Sequence, residues 1–358
     1  MKTKFNTKFI ALLITILFVT NAVRCQENKS VKNISILPVP VIGYSPETKT
    51  YLGAVTLFTF NNANDTLTRT SNAKIEFNYT WNKQLILESD WNYFFPKEAW
   101  FTRGVIHYSK YPDLYYGIGN NTSESGEINF QSNRLIFDLD LLKNIKNKLF
   151  FGLGIDYKSF SNFEYLNDGE SYPELKNANN FGIKVLLLKD RRNNILSPTK
   201  GNYFEFNNSF NFSSSFYFKT AIDYRNYFGL GKTNKHILAS RFYHSSIFGN
   251  PPFYDYAMMG GDKYVRGYYL GRFRDKNFSS IQLEYRTNLF WKIGLATFGG
   301  VSMIYEKISS IGNKSFKPNA GIGLRFLVDK NENTNLRIDY AIGSQNQSGF
   351  YISFGESF

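Results

Sequence analysis

The chain has 358 residues, a formal net charge of +13, negative mean hydropathy and a single cysteine. One cysteine excludes a disulfide framework and a cysteine-based metal centre. No segment beyond the N-terminus approaches 18 uninterrupted apolar residues, which excludes a membrane-spanning helix. Yet 18% of the residues are aromatic, with 35 Phe and 25 Tyr, and strands that turn one face to lipid and one to water reconcile that content with the low hydropathy.

Residues 1–25 read as a secretory signal: Lys2, Lys4 and Lys8 form the charged region and Phe9 to Thr20 a short apolar core. Val23 and Cys25 are small enough to precede a cleavage site, leaving Gln26 as the mature terminus. The competing reading is a lipoprotein anchored through Cys25, and the bulky charged Arg24 argues against it. Removing the basic residues Lys2, Lys4, Lys8 and Arg24 leaves +9. After export the partner for that charge is an anionic membrane surface, not nucleic acid.

Residues 26–49 read as a short periplasmic lead containing Pro38-Val39-Pro40. From residue 50 to 358, turn-rich stretches separate strand-length segments. In 203–212, Phe204, Phe206, Phe210 and Phe212 oppose Glu205, Asn207, Ser209 and Asn211, a period of two. At 217–228, Phe218, Ile222, Tyr224 and Phe228 oppose Lys219, Asp223 and Arg225. At 280–289, Ile281, Leu283, Tyr285 and Leu289 oppose Gln282, Glu284, Arg286 and Asn288. At 336–342, Leu336, Ile338, Tyr340 and Ile342 oppose Arg337 and Asp339. The end, Phe350, Ile352, Phe354 and Phe358, reads as one apolar face closing on a terminal aromatic.

These segments predict an all-β fold, a transmembrane antiparallel β-barrel of sixteen strands over 50–358, with fourteen as the alternative. The fifth segment, 113–119, has the weakest pattern. The parity of the connections puts the short links Asn82-Lys83 and Lys292-Ile293 at one end, and the long links 61–70, 120–127, 163–178 and 248–277 at the other. The connection 248–277 carries Gly260-Gly261-Asp262-Lys263-Tyr264-Val265-Arg266-Gly267-Tyr268, too rich in aromatic residues for a disordered loop. It reads as a packed segment folded into the lumen.

Catalysis is not expected. His107, His236 and His244 belong to no nucleophile motif, no cluster has metal-ligand spacing, and no glycine loop suits a phosphate cofactor. No enzymatic activity, metal or cofactor is therefore expected.

Three passages resemble the bacterial surface antigen family, the superfamily of BamA, TamA and two-partner secretion transporters. They are Asp190-Arg191-Arg192 with Pro198-Thr199-Lys200-Gly201, similar to a periplasmic turn; Val265-Arg266-Gly267-Tyr268, similar to the signature of the lumenal loop; and Ile352-Ser353-Phe354-Gly355-Glu356-Ser357-Phe358, similar to the closing strand. The resemblance implies a member without periplasmic POTRA repeats, integral to the bacterial outer membrane. It implies that Arg266 meets an acid on the barrel wall: Glu284 is the match, while Gly300 stands where a second acid is expected, leaving Asp339 and Glu306 as alternatives. It assigns Gly260, Gly261, Val265, Gly267 and Tyr268 to the loop motif, Asp190, Arg192, Pro198 and Gly201 to the turn, and Phe354, Gly355 and Phe358 to the C-terminal signal. The implied function is assistance in inserting or translocating proteins or lipids, and the alternative is a passive pore or an accessory subunit. Implied partners are outer-membrane lipid, client outer-membrane proteins and a periplasmic or lipoprotein partner.

Overall fold

Alternation decides which way each strand faces. In Asn277–Phe290, Phe278, Ser280, Gln282, Glu284 and Arg286 are buried while Ile281, Leu283 and Tyr285 are exposed. A strand whose charged side is buried and whose apolar side is exposed has the polarity of a lipid-embedded barrel, the inverse of a soluble sandwich. The computed structural model describes residues 34–358 except 46–48, 61–64, 66–67, 81–84, 167–173, 232–234 and 331–332, so the predicted signal, 1–25, lies outside the described residues.

Sixteen antiparallel strands form one sheet in chain order. They are β1 (Ile34–Ser45), β2 (Lys49–Phe60), β3 (Ser71–Thr80), β4 (Leu85–Phe94), β5 (Trp100–Tyr115), β6 (Ile128–Lys146), β7 (Leu149–Tyr165), β8 (Ala178–Asp190), β9 (Gly201–Phe212), β10 (Phe216–Leu230) and β11 (His236–Gly249). The order continues past the lumenal loop with β14 (Asn277–Phe290), β15 (Ile293–Tyr305), β16 (Phe316–Asp329), β17 (Thr334–Gly343) and β18 (Ser348–Phe354). Inside the loop, β12 (Ala257–Met259) and β13 (Phe273–Asp275) pair with each other, and Arg274 of β13 also bridges Gly119.

The count of sixteen agrees with the sequence reading, but its composition does not. Residues 34–45, read as part of a periplasmic lead, form β1 and pair with β2 from Ile34↔Phe60 to Ser45↔Lys49. Pro38 and Pro40 conceal this strand in the sequence, because proline removes a ladder donor and is tolerated chiefly at a sheet edge. At the other extreme, 99–109 and 113–119 are not two strands. They are the single β5, continuous against β6 through Pro112↔Gln131. The two errors cancel in the total but invert the early parity: Phe60 and Ser71 end their strands at the opposite end from the lumenal loop, and Thr80 and Leu85 end theirs at the same end.

The strands β5, β6 and β7 have 16, 19 and 17 residues, well beyond the roughly 9–11 needed to cross a bilayer. Their excess projects at the loop end, where Tyr115, Ile128, Phe130 and Phe160 pack with Phe253 and Tyr254 of the loop. At the turn end Phe94, Phe101, Leu142, Phe150, Leu186, Leu188 and Tyr203 form a second apolar cluster.

The closing strand also differs from its reading over 349–358. The ladder with β17 stops at Leu336↔Phe354, and Gly355, at φ +78°, turns the chain inward. That conformation favours glycine. Phe358 is buried against Tyr227 and Ala239 of the inner wall and does not extend the lipid face.

Leu283 sits midway along β14 and is 53% exposed. A Leu283→Arg substitution is expected to lower stability in bilayers by about 2–4 kcal/mol, the cost of a lipid-facing arginine near the midplane. Denaturant titration in lipid vesicles checks this, and an unchanged midpoint would mean that this face does not contact lipid.

Candidate functional site

The connection 250–276 returns into the barrel and builds a small core there. Met259, Val265, Tyr268 and Phe273 are fully buried, and they pack with Tyr217, Ile247, Phe278 and Ile304 of the wall. One helical turn, Gly261–Tyr264, is closed by the Gly261 amide donating to the Tyr268 carbonyl at 2.9 Å. The Tyr268 hydroxyl donates to the Pro318 carbonyl at 2.6 Å and accepts from the Ser344 amide at 2.7 Å. Gly267, at φ +101°, brings the loop backbone against β17, where an added Cβ would meet the Ile342 carbonyl carbon at 2.8 Å. The turn conformation and the close approach together call for glycine. Gly260 likewise has a positive φ, 111°.

Arg266, next to Gly267, reaches two strands of the wall. Its Nη2 donates to Glu284 of β14 and its Nη1 to Asp339 of β17, and its guanidinium lies 3.4 Å from the centroid of the Phe298 ring on β15. The second acid expected on β15 is thus replaced in two ways. Phe298 supplies an aromatic face under the cation, and Asp339, two strands further on, supplies the charge. Gly300 has no room for an acid: a Cβ there would lie 2.3 Å from the Ile281 carbonyl oxygen. Glu306 lies past the end of β15, is exposed, and is not a partner of Arg266.

The pair belongs to a larger array in which guanidinium and carboxylate groups alternate. Arg325 contacts Asp339 at 2.6 Å, Glu284 at 3.4 Å and Glu356 at 2.8 Å. Arg286 contacts Glu284 at 2.6 Å. Arg337 binds Asp262 of the loop through two 2.7 Å hydrogen bonds and Asp339 through a third at 2.7 Å. Arginines 266, 286, 325 and 337 therefore face Asp262, Glu284, Asp339 and Glu356, a balanced array. Desolvated charges persist only when they are paired and hydrogen-bonded in this way.

The C-terminal tail and the turn join the same array. Arg286 Nη2 donates to the Phe358 carbonyl at 2.8 Å and its Nη1 to the Pro198 carbonyl at 3.3 Å. The Glu356 amide donates to Leu196 O at 2.7 Å, and the Ser357 hydroxyl to Asp262 O at 3.0 Å. Asp190 holds Arg192 through two 2.9 Å hydrogen bonds and Arg69 at 3.0 Å, and Gly201, at φ +102°, ends the turn. The structure thus brings together the three passages singled out in the sequence. It adds Asp262, Arg286, Arg325, Arg337 and Glu356, which sequence reasoning missed although period two places Arg286, Arg325 and Arg337 on the inner face.

A second anchor holds the loop's first half. Asp255, 2% exposed, accepts from Lys158 of β7, from Lys219 of β10 at 2.8 Å and from the Tyr217 hydroxyl at 2.5 Å.

The two edges of the sheet, β1 and β18, lie beside one another, and among the described residues no hydrogen-bonded register joins them. A cavity of about 330 Å³ opens between them, lined by Ser35 and Leu37 on one side and Ile352, Ser353 and Phe354 on the other, with Asp262 of the loop reaching it.

Two outcomes follow from this geometry. Arg266→Ala leaves Glu284 and Asp339 short of a cation and is expected to cost about 3 kcal/mol and to raise single-channel conductance in planar bilayers. Arg266→Lys, a point charge that cannot bridge both acids, is expected to give intermediate conductance, and unchanged currents in both variants would show that this contact does not hold the loop. For Asp255, burial raises the pKa but Lys158 and Lys219 outweigh it and bring it down to about 2. Its stabilisation is full above the ordinary value of ~3.9 and is lost as pH falls toward the folded value. Asp255→Asn should therefore flatten the decline of the thermal midpoint below about pH 4.

Comparison with curated protein sequences gives no match. Among solved structures, BamA from Haemophilus ducreyi lacking POTRA domains 1–3 is similar at TM-score 0.56 and 13% identity, over 99% of this chain and 80% of that one. CdiB from Acinetobacter baumannii is similar at TM-score 0.57 and 15% identity, over 90% of this chain. CdiB from Escherichia coli is similar at TM-score 0.56 and 10% identity, also over 90%. The chain spans 60% and 62% of the length of those two CdiB chains. At these identities the likeness is one of fold. The Omp85 superfamily domain, however, matches residues 66–358, most of the described barrel, and the chain belongs to the Omp85 superfamily of integral outer-membrane β-barrels.

Proposed function

We propose that this barrel assists the insertion or translocation of proteins or lipids at the outer membrane, and that the seam between β1 and β18 is its working surface. The observation that carries this reading is the cavity lined by both edge strands. An edge strand presents unpaired backbone groups to whatever lies beside it, and an extended segment can add to such an edge by main-chain hydrogen bonds. Here the cavity at the seam is lined on its edge strands by apolar Leu37, Ile352 and Phe354 alternating with polar Ser35 and Ser353, with Val55, Lys74 and Glu76 of β2 and β3 completing the wall. That alternation suits a segment that is itself amphipathic with period two.

The rest of the lumen supports the same reading. The loop and the C-terminal tail enter the lumen and pack on its wall, and the array around Arg266 ties both to the wall beside the seam. Asp262 belongs to this array and also lines the seam cavity, so a change at the seam is felt by the loop. The reading assigns the barrel no chemical catalysis. Its partners are outer-membrane lipid, client outer-membrane proteins and a periplasmic or lipoprotein component.

Depletion of the protein in its host, with the outer-membrane proteome quantified, tests the proposal. A defined set of barrels or lipoproteins should fall in the membrane while accumulating in the periplasm. If only the barrel itself disappears, the assembly reading fails and an accessory role in a larger complex replaces it.

A further inference from the structure

Around Arg266 every buried cation meets a carboxylate. At the loop end of the lumen this rule breaks down. Arg272, Arg274 and Lys317 are 1%, 3% and 2% exposed, as buried as Arg266 at 2%, but among the described residues none of the three makes an ion pair. Arg272 donates Nη1 to Thr122 Oγ1 at 2.9 Å, and Nη2 to the Thr122 carbonyl at 3.0 Å and Gln345 Oε1 at 3.4 Å. Its Nε is buried without a partner. Arg274 donates to the carbonyls of Phe253 at 3.2 Å and Gly271 at 3.3 Å, and its Nε is likewise unsatisfied. Lys317 rests its ammonium 3.9 Å from the centroid of the Phe273 ring, the same ring that the Arg272 guanidinium approaches to 4.4 Å.

Carbonyls, hydroxyls and aromatic faces soften the desolvation of a cation but carry no opposite net charge. The nearest acids make no ion pair with the three cations: Glu124 accepts from Gln347, Glu127 hydrogen-bonds Tyr116, and Asp113 is paired with Arg134 at 2.6 Å. The cluster lies where four connections meet, with Asn120 joined to Ser315 at 2.8 Å and Arg272 reaching Gln345. The cluster borders the surface: Gly119, bridged to Arg274, and exposed Gly312 both face open space. Lys314 stands exposed at the rim.

We propose that this cluster is a binding site for a phosphate-type anion, with Arg272 and Lys317 as its principal donors and Lys314 guiding entry. The unsatisfied Nε of Arg272 and the ring-supported ammonium of Lys317 are held without internal acids, and an external dianion completes them. A guanidinium suits phosphate oxygens by geometry as well as charge. The ligand is free phosphate or the phosphate of a lipid headgroup in the outer leaflet, and the site's chemistry is the same for both.

The test uses the full barrel in zwitterionic detergent, comparing wild type with Lys317→Met and Arg272→Gln. Inorganic phosphate is titrated against chloride at constant ionic strength, and the thermal midpoint is followed by heat-modifiable mobility. A parallel arm places the barrel in phosphatidylcholine vesicles with either phosphorylated or dephosphorylated lipid A. A saturable, phosphate-specific rise in the midpoint is expected, with about tenfold weaker apparent affinity in each variant. Lys317→Met should also raise the midpoint of the anion-free barrel, because it removes an uncompensated buried cation, and that gain shows the variant is folded. Response to inorganic phosphate assigns a free anion, and response only to phosphorylated lipid assigns a headgroup. No response to either source, or responses unchanged in both variants, would overturn the site.

Discussion

A guanidinium group enclosed in a protein interior is best stabilised by carboxylates, and the structure of this barrel is arranged around one such group. Arg266 is 2% exposed and is carried on a loop, not on the wall. Satisfying it requires acids on two different strands, an aromatic ring between them, and a glycine beside it so that the loop backbone can approach β17. Each acid then needs further cations, which Arg286, Arg325 and Arg337 provide, and these in turn recruit Asp262 and Glu356. The array grows because a buried charge left half-paired is more costly than one fully surrounded.

This requirement explains why the chain's end turns inward. If Phe354 to Phe358 continued as a strand, β18 would present a longer edge to β1. Glycine at position 355 and the attraction of Glu356 for Arg325 and Arg286 instead direct the last residues into the lumen, where Phe358 packs on Tyr227 and Ala239. The tail shortens the ladder available at the seam. The electrostatics of the lumen and the geometry of the seam are thus one problem, with the tail as the shared element.

The two ends of the loop are held by different chemistry. Its first half is fixed by the carboxylate of Asp255 between two lysines, and its middle by Asp262 and Arg266 on the wall. Its last part, Arg272 to Arg274, packs against aromatic rings, carbonyl groups and the Thr122 hydroxyl. The centre of the lumen is a balanced ion-pair array, whereas Arg272, Arg274 and Lys317 are buried with no ion pair among the described residues.

The sequence by itself determined what depends on local periodicity and residue chemistry. Period two in segments such as 203–212 and 280–289 set the strands and the direction each face points, because successive side chains in a strand must alternate. The composition of 260–268 marked a packed loop, and Glu284 fell on the inner face by counting. What the tertiary structure decided was everything that depends on distant strands meeting. The two prolines of 34–45 read as a break until the strand is seen at a sheet edge, where a missing donor is tolerated. The second partner of Arg266 could not be chosen between Asp339 and Glu306, since both lie more than thirty positions away in the chain and only barrel curvature brings β17 across from the loop. The inward turn at Gly355 was hidden for the same reason: a terminal run of alternating aromatics is locally a strand, and the charges that bend it belong to β14 and β16.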